Sequence, residues 1–247
     1  MPSVMWEEEI AQHYDATSAV MFLPAVLDPT IDALQELVGD GRALEFAIGT
    51  GRVGLALSAR GVPVAGLEYS PPMVEQLRAK PGAANVPVTI GDMKETRVPG
   101  TFALVFLVYN TIMNVTTQDE QVAVFANAAA HLSDGGFFVV EVVVPQIRKL
   151  PPGEFGRVFT REDNHVGFET FDDVEGQISW SHHWMEVDGK LIRHSAPYRY
   201  VWPAELDLMA KLAGLRLHAR WSGWDQAPFT SDSVNHIAVY KKVRASS

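Results

Sequence analysis

Apolar residues in this chain fall into short runs, and the period of the pattern changes along its length. Residues 43–48, 62–68, 86–90, 102–108 and 137–145 are nearly continuous apolar segments that read as buried strands. The stretches between them carry helix signals. Ile31, Leu34 and Leu37 recur on one face after Asp28-Pro29-Thr30, an N-cap with proline at the first helical position, and Gly39 and Gly41 close that helix. Residues 53–60 read as a helix stopped by Gly61. Ser70 caps the next, with Pro71 and Pro72 in its first turn. Thr117-Gln118-Asp119-Glu120 is a capping box, which starts a helix over 118–132 ended by Gly135-Gly136. Strands alternating with helices at this spacing predict a parallel sheet covered on both faces.

The rhythm breaks over 146–200. Aromatic and charged residues alternate there, as in QISWSHHWMEVDGKLIRHSAPYRYVW, and Asp188-Gly189 between two such runs is a two-residue hairpin signal. This segment reads as an antiparallel sheet inserted after strand five. The main domain then comprises 1–145 and 201–247. Its last part holds a helix at 203–212, with Leu206, Met209 and Leu212 on one side, and strands at 215–221 and 237–241.

Composition narrows the function. The chain has 247 residues, 47% hydrophobic and 20% charged, enough for a sizeable core. The formal net charge is −10 and no Lys/Arg run occurs, which argues against nucleic acid as a partner. With no cysteine, disulfides, Cys-ligated metal and a Cys nucleophile are excluded. The N-terminal MPSVMWEEEIAQHYD is not a secretory signal, and no window is long and apolar enough to span a membrane. A cytoplasmic protein is expected.

The chemistry starts at FAIGTGRVG, where Gly49, Gly51 and Gly54 form a literal G-x-G-x-x-G. Such a turn brings the backbone close to an anionic group at a helix N-terminus. That group is a pyrophosphate in an NAD site and the methionine carboxylate in an S-adenosylmethionine (SAM) site. The turn alone leaves an NAD-dependent oxidoreductase open. Glu45, inside the first strand, disfavours a pyrophosphate and suits a ligand bearing an ammonium and a sulfonium. Glu68, ending the second strand, can accept from ribose hydroxyls in either case. Asp92 and Met93 follow the third strand, where a carboxylate and a backbone N–H can meet an adenine. Tyr109 and Asn110 end the fourth strand, at the edge where open α/β sheets bind ligands.

Taken together, ALEFAIGTGRVGLAL, VAGLEYSPPMVEQLR, TIGDM, LVFLVYNTIMNV and LSDGGFFVVEVV resemble the class I SAM-dependent methyltransferase family. The resemblance implies a Rossmann-like α/β fold, a seven-stranded sheet with the last strand antiparallel. It implies SAM as cofactor and S-adenosylhomocysteine as product. The implied cofactor set begins with Glu45, Ala47, Gly49, Gly51 and Arg52 around the turn. Glu68 then binds the ribose, Tyr69 joins the set beside it, Met73 lies near the adenine or ribose edge, Asp92 and Met93 bind the adenine, and Val108 ends strand four. AQHYD near the start resembles small-molecule methyltransferases whose N-terminal helix closes over SAM, so Tyr14 is expected to touch both cofactor and reacting centre. The tail, WPAELDLMAKLAGLRL and APFTSDSVNHIAVY, resembles actinobacterial natural-product methyltransferases, peptide α-N-methyltransferases among them. Tyr109-Asn110-Thr111-Ile112 departs from the Asn-Pro-Pro-Tyr or Asp-Pro-Pro-Tyr of DNA amine methyltransferases.

The expected reaction is methyl transfer to N or O of a small, partly apolar acceptor in secondary metabolism, with a peptide N-terminus as the alternative. An in-line displacement needs alignment and exclusion of water more than a conspicuous catalytic residue. Tyr14, Tyr109, Asn110 and His236 are the candidates for the reacting centre, His236 as general base; Asn114 either lines the pocket or caps a helix. His182 and His183 are neighbours on a strand and so face opposite ways. A two-residue hairpin places His183 across from His194, as a cross-strand contact, a metal pair or a pH sensor. No spacing makes a metal site convincing, and His165 acquires no role. The aromatic-rich inserted sheet is expected to supply substrate choice, a contact with a second copy in a homodimer, or both.

Overall fold

The computed structural model describes residues 8–187 and 189–243. Among the described residues, six α-helices and eleven strands follow in chain order. The first half runs α1 (Glu8–Thr17), α2 (Pro24–Val38), β1 (Ala43–Phe46), α3 (Arg52–Ala59), β2 (Val64–Glu68), α4 (Pro71–Arg78), β3 (Val88–Ile90) and β4 (Phe102–Leu107). Next come α5 (Gln118–His131), β5 (Leu132–Val143), β6 (Gly156–Glu162), β7 (His165–Asp173), β8 (Ile178–Val187) and β9 (Lys190–Arg199). The chain closes with α6 (Pro203–Leu212), β10 (Leu215–Trp221) and β11 (Asn235–Lys242).

Seven strands form one sheet in the order β10-β11-β5-β4-β1-β2-β3. β3, β2, β1, β4 and β5 are parallel neighbours, and β11 runs antiparallel to both β5 and β10. The central strands are buried on both faces, which is why they read as unbroken apolar runs. One face packs on α5 and α6 through Phe125, Val124, Leu206 and Met209. The other packs on α2 and α3 through Ile31, Leu34, Val53 and Leu57.

Two expected boundaries move. The second helix begins at Pro24, not at Pro29. Leu23 is its N-cap, Pro24 takes the first-turn position, and Pro29 lies inside the helix. A proline there forfeits one backbone bond, while Leu27, Thr30, Ile31, Leu34 and Val38 still bury a common face. Asp28 is therefore not a cap; it pairs with Arg60 at the end of α3 at 3.0 Å. The fifth helix ends at His131, ahead of the glycine pair, because Leu132 already pairs with Phe102. Gly135 and Gly136 instead form an irregularity within β5, where a Cβ on Gly136 would lie 2.9 Å from the Ala103 carbonyl oxygen.

Strands β6 to β9 form a separate four-stranded antiparallel sheet, inside the segment that breaks the alternation. Val187 pairs with Lys190 across a two-residue turn; Gly189 takes a φ of 73°, and Asp188 lies outside the described residues. The sheet is tied down by a buried polar knot. Arg199 donates to Gln121 of α5 and to Glu205 of α6, both at 2.6 Å, and Gln177 donates to Glu205 at 2.9 Å. Among the described residues no helix is long and apolar enough to cross a membrane.

Candidate active site

The glycine turn is made by three left-handed residues in quick succession, Ala47 (φ 52°), Gly49 (57°) and Gly51 (86°). The first two glycines of the motif bend the backbone. The third acts in packing: a Cβ on Gly54 would lie 2.6 Å from the Glu45 carboxylate, so its absence seats α3 on β1. Glu68 fastens the turn. One carboxylate oxygen accepts from the Gly49 N–H and the other from the Ser70 N–H, both at 2.8 Å. Burial raises the Glu68 pKa, against the opposing pull of the Ser70, Gly49 and Tyr69 backbone donors.

Two cavities open along the carboxyl edge of the parallel strands, and both are lined by Ala47, Glu68, Thr111 and Asn114. The first, about 410 Å³, lies against Leu67, Tyr69, Gly91, Asp92, Met93 and Lys94. Gly91 has no room for a side chain, since a Cβ would sit 2.3 Å from the Thr96 hydroxyl. Asp92 accepts from the Lys94 N–H at 2.9 Å, and Lys94 reaches Asp92 at 3.3 Å and Glu120 at 2.6 Å. Lys94 and Glu120 were not legible as site residues, because Glu120 reads from sequence only as part of a capping box.

The second cavity, about 530 Å³, runs from Gly49, Glu68 and Met73 past Tyr14, Tyr109, Asn110 and Met113. It ends on one face of the second sheet, at Phe159, Glu169, Ser179, Ser181, His183 and Tyr198. Its middle is shaped by strain at the end of β4, where Tyr109 (φ 58°) and Asn110 (φ 62°) are both left-handed. Consecutive left-handed residues with side chains are costly and collect at functional sites. Glu141 holds them: its carboxylate accepts from the Tyr109 N–H at 2.8 Å and from the Trp224 indole at 2.9 Å, and its carbonyl accepts from Asn110 at 3.1 Å. The Asn110 side-chain oxygen accepts from the Val143 N–H at 2.7 Å, so Asn110 fixes β5 as well as lining the cavity. Asn114 lines the pocket: among the described residues its buried side-chain oxygen has no partner where the two cavities meet.

Tyr14 reaches the cavity from α1, and Asp15 beside it anchors that helix. The Thr50 hydroxyl in the glycine turn donates to Asp15 at 2.6 Å. Lys80, just after α4, pairs with Asp15 and donates to the Thr50 carbonyl at 2.7 Å. Burial raises the Tyr14 phenol pKa, as does Tyr109 nearby, while Arg52 pulls the other way. Because the Asp15 pair is partly exposed, its loss is a modest change. Asp15→Ala is expected to raise the Kd for SAM about 3- to 10-fold, measured by calorimetry, with faster proteolysis within α1. An unchanged Kd would mean that α1 does not cover the cofactor.

Of the remaining expected residues, Glu45, Gly51, Arg52 and Val108 line neither cavity. Glu45 is 3% exposed, one of its oxygens lacks a partner among the described residues, and burial lifts its pKa to about 8. Arg52 lies over the Tyr109 ring at 5.3 Å. His236 is buried on β11 beside Phe229 and lines neither cavity; burial lowers its pKa to about 4. Among the described residues no group of three or more His, Cys, Asp or Glu is placed to hold a metal ion.

The chain is similar to known methyltransferases. A model described as "Methyltransferase domain" matches residues 43–136, from β1 to the glycine pair in β5. The chain is 26% identical over 244 residues, 98% of both chains, to a cypemycin N-terminal methyltransferase from a Streptomyces species. It superposes on the CcbJ methyltransferase of Streptomyces caelestis with a TM-score of 0.78 and 32% identity, covering 88% of this chain and 90% of that one. It shares its fold with CalS10, an amino pentose methyltransferase from Micromonospora echinaspora, at a TM-score of 0.71 and 22% identity over 93% of this chain and 96% of the other.

Proposed function

The chain belongs to the class I SAM-dependent methyltransferase family, and on that premise we propose that it methylates an amine of a small natural-product acceptor held between β4 and the inserted sheet. SAM is the cofactor, and when bound it supplies a methyl group on a positively charged sulfur, ready for displacement. The residues present suit it. Glu68 presents a carboxylate already fixed by two backbone donors, suited to ribose hydroxyls. Asp92 and Met93 line the cavity on the side where an adenine would lie, and the glycine turn faces the methionine end.

The observation that carries the acceptor assignment is the continuity of the 530 Å³ cavity from Glu68 and Gly49 to the inserted sheet. Its volume falls in the range for a small ligand, roughly 300–1,000 Å³. Its far wall is polar, with Ser179, Ser181, His183 and the Glu169 carboxylate flanked by Tyr198 and Phe159. Such a wall suits a hydroxylated amine better than a flat apolar ring. Tyr14, Tyr109 and Asn110 surround the passage between the two ends, where they can orient the nucleophile and keep water out. The name of the amino pentose methyltransferase sharing this fold supports an aminosugar; that of the cypemycin N-terminal methyltransferase keeps a peptide amine as the rival.

The test is incubation with trideuteromethyl-SAM and three acceptor classes: free aminosugars, a short peptide with a free N-terminus, and a catechol. Product mass spectra and fragmentation locate the label. Label on an aminosugar nitrogen is the expected result. Label only on the peptide N-terminus, or only on a hydroxyl, would replace the proposed acceptor.

A further inference from the structure

Three histidines from three adjacent strands meet on the cavity face of the inserted sheet. His183 on β8 lies directly across from His194 on β9, with ring centroids 6.5 Å apart. The hydrogen bond of His183 runs the other way. Its Nδ1 is 2.9 Å from Nε2 of His165 on β7, with the rings stacked at 5.2 Å. Its Nε2 is 3.0 Å from the Ser181 hydroxyl. Ser181 and His183 both line the cavity, while His165 is half-buried at the outer end of β7. The result is a hydrogen-bonded row, Ser181–His183–His165, leading from the cavity toward solvent. Phe159 packs edge-on against His183 at 5.4 Å and occupies the space left by Gly167, whose Cβ would lie 2.4 Å from that ring.

We propose that His183 is the base that takes the proton from the acceptor, through the Ser181 hydroxyl, with His165 behind it as a positioning residue and exit. The inference rests on the amine acceptor proposed above. A protonated amine has no lone pair with which to attack, so a proton must leave first. The ammonium N–H bond breaks, its proton passes through the Ser181 hydroxyl to Nε2 of His183, and the lone pair stays on nitrogen. That lone pair then bonds to the methyl carbon as the carbon–sulfur bond breaks with its electrons returning to sulfur. The products are S-adenosylhomocysteine and an N-methylammonium ion, and the imidazolium discharges to solvent by way of His165.

The surroundings favour a neutral His183 awaiting a proton. Burial lowers its pKa, and His165, His194 and His182 lower it further. The other titratable groups facing the cavity are Glu68 at its cofactor end, whose oxygens accept from the Gly49 and Ser70 N–H groups, Glu169 on β7, paired with Arg157 of β6, Tyr198 on β9, and Tyr14 and Tyr109 across the gap. Glu169 is engaged by Arg157 and Glu68 by two backbone donors, and the imidazole is the base beside the Ser181 hydroxyl.

Two readouts test this on the whole chain. In protein labelled at histidine with ¹⁵N and saturated with S-adenosylhomocysteine, long-range ¹H–¹⁵N spectra report the tautomer of His183. The expected result at pH 7.5 is a protonated Nδ1 shared with His165 and a bare Nε2; a protonated Nε2 would overturn the proposal. The second readout is methylation of a free aminosugar by His183→Asn across pH. Loss of kcat/KM by about 100-fold at pH 7 is expected, shrinking to a few-fold near pH 10 where the amine is already neutral, with SAM affinity unchanged. A loss constant with pH would show a packing role instead. If wild type methylates no aminosugar, the acceptor class is wrong, and the tautomer decides the role of His183.

Discussion

Glu68→Ala is expected to raise the Kd for SAM by ~10²–10³-fold in calorimetric titration. Two effects add. The variant removes the carboxylate suited to the ribose hydroxyls, and hydrogen bonds to charged groups contribute about 1.5–3 kcal/mol. It also releases the Gly49 and Ser70 N–H groups, which both donate to this side chain at 2.8 Å. The glycine turn then loses its tether to the end of β2, so the methionine half of the site loosens with the ribose half. Glu68→Gln separates the two contributions, because it keeps the shape but offers an amide nitrogen to one of the backbone donors. A Kd within about threefold of wild type in the alanine variant would remove Glu68 from the cofactor site.

Glu45→Gln is expected to stabilise the ligand-free protein, by an amount that grows with pH. Glu45 sits beneath the turn with one oxygen unpartnered, and desolvation raises its pKa from 4.5 to about 8, while Arg52 and the Gly54 N–H oppose the rise. An acid whose pKa is raised in the fold favours folding most below its unfolded pKa. That contribution is lost as pH rises through the window from 4.5 to about 8. At about 1.4 kcal/mol per pH unit the loss reaches roughly 3–5 kcal/mol. Glutamine has no proton to lose, so the two proteins should unfold alike near the bottom of that window and diverge up to its top. Denaturant unfolding at pH 5 and pH 9 measures the gap. A stability difference independent of pH would show that Glu45 is ionised in the fold.

The proposed cofactor half of the site is legible in the sequence because its parts are local. A buried strand, a glycine turn and a helix start lie within a dozen residues, and Glu68 and Asp92 each follow a strand immediately. The acceptor half was less so. Alternation along β8 separates Ser179, Ser181 and His183 from Trp180, His182 and Trp184, but it does not say which set turns inward. Hydrophobicity alone would bury the tryptophans. The structure leaves Trp180 and Trp184 38% and 44% exposed and turns the polar set to the cavity, because that face covers an open space instead of a core. Asp15 with Lys80, and Glu141 with Tyr109 and Trp224, are pairings across distant segments with no local signature. His236 was misleading for the same reason: its place before the last strand fits an active-site edge, yet it is sealed beside Phe229.

A crystal structure of the protein with S-adenosylhomocysteine bound tests the central claim most directly, that one continuous cavity joins the cofactor to the inserted sheet. The expected result has both ribose hydroxyls on Glu68, the adenine beside Asp92 and Met93, and the sulfur facing the space between Tyr14, Asn110 and His183. A sulfur pointing away from the inserted sheet, or a ribose bound elsewhere than Glu68, would contradict it.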